Sequence, residues 1–137
     1  MKERLKVLKT IHIALCLGIA LPYFLIGNIA SLDFLKIPEI DSSKMIFFAV
    51  PIAAIIFGHL LFKQQLKLVD KNLTLEEKIG SYQTASLIRW AMLEGAAFFI
   101  LFVEEELILI GVMLILYMVY LRPSEERMKR DLEMAQM

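Results

Sequence analysis

Four apolar runs alternate with polar segments along the chain, at about 10–31, 45–62, 84–103 and 107–121. A helix rises ~1.5 Å per residue and a bilayer core is ~30 Å thick, so about 20 apolar residues cross it. The first and third runs meet that length, the second is adequate, and the fourth is short. The fourth completes a crossing only if Glu105, Glu106 and Arg122 carry its helix into the headgroup layer by snorkelling. The pattern predicts an all-α polytopic membrane protein: one domain over 1–137, with four transmembrane helices as two antiparallel hairpins.

The polar segments set an orientation, because basic residues flanking a span resist translocation. Lys2, Arg4, Lys6 and Lys9 precede the first run, Lys63, Lys67, Lys71 and Lys78 follow the second, and Arg122, Arg127, Lys129 and Arg130 follow the fourth. The opposite loops hold only Lys36 and Lys44 among Asp33, Glu39, Asp41 and Glu104–Glu106. Both termini are therefore expected in the cytoplasm. Composition agrees with a lipid solvent, at 58% hydrophobic residues and mean hydropathy +0.65. The zero net charge hides the charge separation and gives no reason to expect a nucleic-acid partner.

The basic start and first apolar run resemble a secretory signal in outline. The apolar stretch is longer than a signal core and contains Pro22, so an uncleaved anchor is expected. Cys16 is the only cysteine, which excludes a disulfide within one chain. Thr74 followed by Glu77 matches a capping box and predicts a helix over about 75–103, with Gly80-Ser81 a place for a bend. After Pro123-Ser124, the spacing of Met128, Leu132 and Ala135 fits an amphipathic cytoplasmic tail helix or a solvated end.

Helices associate in lipid through small side chains and polar groups. Ala14 and Gly18, Ala54 and Gly58, and Ala91 and Gly95 each stand four apart and are expected at helix contacts. Gly111 is alone in the fourth run, which should be peripheral or face another protomer. Pro22 and Pro51 fall within apolar runs, where each favours a kink.

Glu94 is the leading candidate for chemistry. It lies near mid-membrane, where an ionised carboxylate costs ~3 kcal/mol or more and must be paired, hydrated or protonated. It suits a proton carrier or cation ligand, and equally a neutral acid bonded to a neighbouring helix. Arg89, five residues earlier, is turned about 140° away from it, so snorkelling or an interhelical bond is expected instead. His12 and His59 fall at similar depth in successive spans, the arrangement two axial ligands of a haem b would need, although interfacial or hydrogen-bonding roles fit as well. Tyr82, Trp90, Tyr117 and Tyr120 read as an interfacial aromatic belt, and Asn28 as an interhelical bond. The sequence holds no metal-ligand spacing, phosphate loop or nucleophile motif, so neither a metal nor an enzyme is expected.

The run Tyr82-Gln83-Thr84-Ala85-Ser86-Leu87-Ile88-Arg89-Trp90-Ala91-Met92-Leu93-Glu94-Gly95, with Leu121-Arg122-Pro123, resembles a family of small bacterial integral membrane proteins with four predicted helices. The resemblance implies a bacterial inner-membrane location and no particular activity. Ala91-x-x-Glu94 is also similar to the proton-carrying helix of rotary ATP synthase rings, without the glycine-rich partner helix. Three readings stay open. The first is a non-enzymatic bundle that self-associates or joins other membrane subunits; the second is a proton- or cation-coupled transporter using Glu94; the third is a haem electron carrier using His12 and His59.

Overall fold

The computed structural model describes residues 2–27, 29–31, 42–103 and 105–135. Asn28, the outer-loop stretch 32–41 and Glu104 lie outside the described residues, with the expectations placed on them. The described residues form five α-helices and no strand: α1 (Lys2–Leu25), α2 (Ala49–Lys67), α3 (Leu75–Val103), α4 (Ile108–Tyr120) and α5 (Glu125–Ala135). Short 3-10 segments cover Ile29–Ser31, Ser42–Phe48 and Glu105–Leu107.

Three helices are long and apolar enough to cross a membrane: Lys2–Leu25, Met45–Lys67 and Leu75–Val103. The run Ile108–Tyr120 makes a fourth only when taken with Glu125–Ala135, to which it is bent by 98°. Large apolar side chains point outward on every side: Ile13, Leu17, Leu21 and Phe24 on α1, Ile52, Ile56 and Leu60 on α2, Met113 and Leu116 on α4. An apolar girdle of that extent suits hydrocarbon surroundings.

The helices overrun the apolar runs wherever local signals extend them. α3 starts at the capping box, where the Thr74 amide donates to Glu77 Oε2 at 2.7 Å and the Glu77 amide donates to Thr74 Oγ1 at 3.3 Å. It then runs continuously through Gly80 and Ser81. α1 stops at Leu25, short of the expected 31, soon after Pro22; the Ile26 and Gly27 amides both turn back to Pro22 O. Pro51 is not in mid-helix. It lies in the first turn of α2, where a missing amide leaves little unsatisfied.

α3 is the centre of the bundle. α1, α2 and α4 each bury one stripe of side chains, for example Leu5, Leu8, His12, Ile19 and Tyr23 on α1. α3 buries residues on several faces, among them Tyr82, Ala85, Arg89, Trp90, Leu93, Ala97 and Ile100. α2 packs on α3, α4 on α3 and α1, and α1 on α3, while α1 and α2 scarcely touch. The pairings His12 with Trp90 and Tyr23 with Ala97 make α1 parallel to α3. Phe47 with Phe99 and Phe62 with Tyr82 make α2 antiparallel to it. His12 with Met118 and Tyr23 with Gly111 run α4 antiparallel to α1. The basic segments thus collect at one end of the bundle. α5 lies across that end and buries Met128, Leu132 and Ala135, while Tyr82 Oη donates to Asp131 Oδ2 at 3.0 Å.

α4 is not peripheral, as its solitary glycine had implied. Gly111 is buried facing Tyr23, and the missing side chain is what lets α1 and α4 close together.

Candidate functional site

Two different faces of α3 carry the polar residues. On the α2 side, Arg89 is buried at 5% exposure with its guanidinium carbon 3.7 Å from the centre of the Phe62 ring. A cation over an aromatic face gains from the ring quadrupole, more so when water is excluded. Gly58 packs against it: a Cβ there would lie in ordinary contact, 3.6 Å from Arg89 Cγ and 3.8 Å from its Cα. Arg89 therefore does not snorkel outward. Its Nε is buried without a hydrogen-bond partner, as are Ser86 Oγ and Trp90 Nε1 nearby on the same helix.

On the α1 side, His12 is buried and its Nε2 donates to Met118 O at 2.7 Å, which fixes the proton on that nitrogen. Met118 belongs to the last turn of α4, whose carbonyls lack a full set of helical amide partners. His12 thus caps one helix from another. Its ring centre lies 4.8 Å from that of Trp90, tilted by 55°. Cys16, one turn along α1, places Sγ 3.6 Å from His12 Nε2.

Glu94 follows on that seam. Its Oε1 is 3.8 Å from the position a Cβ on Gly18 would take, and its field reaches Cys16. It is partly buried, and among the described residues no hydrogen bond or ion pair reaches its carboxylate. Arg89 looks toward α2 and Glu94 toward α1, as the helical wheel requires for a spacing of five.

His12 and His59 are not brought together. α3 stands between their helices, and His59 is exposed on α2 beside a small cavity of about 80 Å³ shared with Phe62, Lys63, Asp131 and Met134. The small pairs also divide. Ala54 and Gly58 are buried against α3, whereas Ala14, Gly18, Ala91 and Gly95 stand exposed on the outer surface. A Cβ on Gly95 would meet nothing within 4 Å. Gly95 borders an apolar groove of about 450 Å³ between α2 and α3, with Val50, Phe57, Met92 and Phe99.

The aromatic belt needs correction. Trp90 and Tyr82 are core residues, fully enclosed between helices, and only Tyr120 of the four is well exposed. Sequence reasoning also missed Tyr23, whose hydroxyl donates to Ala97 O at 2.6 Å, and Asp131, the carboxylate that anchors α5. For Cys16 a signal existed: it stands four residues from His12. Among the described residues, no group of three or more His, Cys, Asp or Glu side chains is placed to hold a metal.

No family model, curated protein or solved structure matches the chain.

Proposed function

We propose that the chain is a small, non-enzymatic integral protein of the bacterial inner membrane, both termini cytoplasmic, which self-associates or joins a larger membrane assembly through the outer face of α1 and α3 that holds Glu94 and meets the α2–α3 groove at Gly95. The observation that supports it is the unpartnered Glu94 carboxyl on a surface where Ala14, Gly18, Ala91 and Gly95 are exposed. A carboxyl at that depth gains from a partner donor, and small residues let another helix approach its backbone. The orientation rests on the basic residues gathered at the end that α5 covers.

Gly18 and Gly95 have room for larger side chains within one chain, so Gly18→Leu and Gly95→Leu should keep the fold and block the approach. Native nanodiscs carved from the membrane should hold wild type as an oligomer or with other subunits, and the leucine variants as single chains. A wild-type chain that is alone in every disc contradicts the reading. Labelling of Lys71→Cys but not Ser43→Cys from the cytoplasmic side, in a Cys16→Ser background, tests the orientation.

A second reading is proton- or cation-coupled transport. It is favoured by the succession His12, Cys16, Glu94 along one seam between the basic end and the middle of the bundle. Glu94→Gln should abolish pH-dependent flux in proteoliposomes; equal flux in the variant removes Glu94 from transport.

A further inference from the structure

Where α4 ends, the chain turns by 98° into α5, and this elbow borders an open pocket of about 380 Å³ lined by Val119, Tyr120, Arg122, Ser124 and Arg127. Two arginines therefore line one pocket. Arg127 is held there by the Tyr120 ring, 4.9 Å from its guanidinium carbon, and among the described residues neither arginine has a carboxylate within ion-pair distance. The nearby carboxylates do not line the cavity: Glu125 is paired with Lys129 at 3.4 Å, and Asp131 accepts from Tyr82. Glu126, also on this turn of α5, is exposed and is not among the residues that line the pocket. Ser124 adds a hydroxyl, although its Oγ already accepts from the Arg127 amide at 3.1 Å.

Depth completes the argument. The elbow sits where an apolar helix gives way to an amphipathic one, which in a bilayer is the headgroup layer. Tyr120 and Val119 supply the apolar wall beside it, and both are exposed. Planar guanidinium forks match phosphate oxygens in pairs.

We infer that the elbow of Arg122, Ser124 and Arg127 binds the phosphate of an anionic lipid headgroup. This rests on the chain being bilayer-embedded. Protein that stays soluble without detergent would fail that premise, a result separate from any binding measurement.

The test is native mass spectrometry of delipidated, detergent-solubilised full chain, titrated with phosphatidylglycerol or phosphatidylcholine, and separately with inorganic phosphate as competitor. Wild type should retain phosphatidylglycerol over phosphatidylcholine. The double variant Arg122→Gln, Arg127→Gln should lose about tenfold or more in apparent affinity, as expected from removing two charge-assisted contacts. Arg130→Gln, outside the cavity, should bind as wild type, and the double Arg-to-Lys variant should recover part of the loss, showing that the site folds. Equal phosphatidylglycerol retention by wild type and the double glutamine variant would overturn the site. Occupancy by inorganic phosphate without phosphatidylglycerol retention would overturn its assignment to lipid.

Discussion

Tyr23 of α1 occupies the space that a side chain on Gly111 of α4 would need, and its hydroxyl donates to Ala97 O of α3 at 2.6 Å. Three helices therefore meet at one phenol. The contact ties the half of the bundle remote from α5.

Gly111→Ala should destabilise the protein by about 1–3 kcal/mol, because the methyl meets Tyr23 Oη, Cζ and Cε2 and the ring must shift. Tyr23→Phe removes the nearest of those atoms, so the double variant should fall short of the summed single effects by at least ~0.5 kcal/mol. Thermal unfolding of the four proteins in one detergent supplies the cycle. Strict additivity would show that the two side chains do not compete for that space.

Removing Phe62 should harm the fold more than removing the charge above it. Phe62→Ala opens a core cavity, costs about 3–5 kcal/mol and strips Arg89 of its ring. Arg89→Met keeps most of the volume and eliminates a buried Nε that has no hydrogen-bond partner, so its cost should be smaller. A reversed order of midpoints would mean that the guanidinium has a stronger partner than the ring.

His12→Phe should preserve the ring contact with Trp90 while leaving Met118 O without its side-chain donor. Met118 O keeps the Leu121 amide as a donor at 3.2 Å, so the cost should be that of one hydrogen bond, about 0.5–1.5 kcal/mol. Amide exchange should rise first in the last turn of α4, ahead of α2, if the histidine acts as a cap. Uniform acceleration throughout the bundle would point to general loosening instead.

Thr74→Ala should weaken the start of α3 by about 0.5–2 kcal/mol, through loss of one half of the capping box. The effect should be confined to exchange of the first-turn amides, since Thr74 is exposed and touches no core residue. Thr74→Ser should recover most of it.

Local signals in the chain were legible where one segment decides the outcome. The Thr74 and Glu77 box starts a helix, and Met128, Leu132 and Ala135 are spaced as one stripe and are the buried residues of α5. Relations between helices were not. Four-residue spacing groups Ala54 with Gly58 as readily as Ala91 with Gly95, yet only the first pair is inside. Gly111, without a small neighbour, fills a tighter contact than Gly58, because its partner is a tyrosine 88 positions away in sequence. Trp90 and Tyr82 likewise carry polar edges that suit an interface, and only the central place of α3 puts them in the core. For Glu94, a place on the third helix was readable from the run, whereas its neighbour Gly18 depended on α1 lying parallel beside it.

The brevity of α4 has a consequence for the surrounding lipid. Its 13 residues cover about 20 Å, whereas α1 with 24 residues and α3 with 29 are long enough for a crossing. Were α4 to stand in a bilayer beside them, acyl chains on that flank would have to shorten to meet it, leaving a lopsided collar of lipid thinned on one side. Partitioning toward thinner bilayers would then follow from that asymmetry alone.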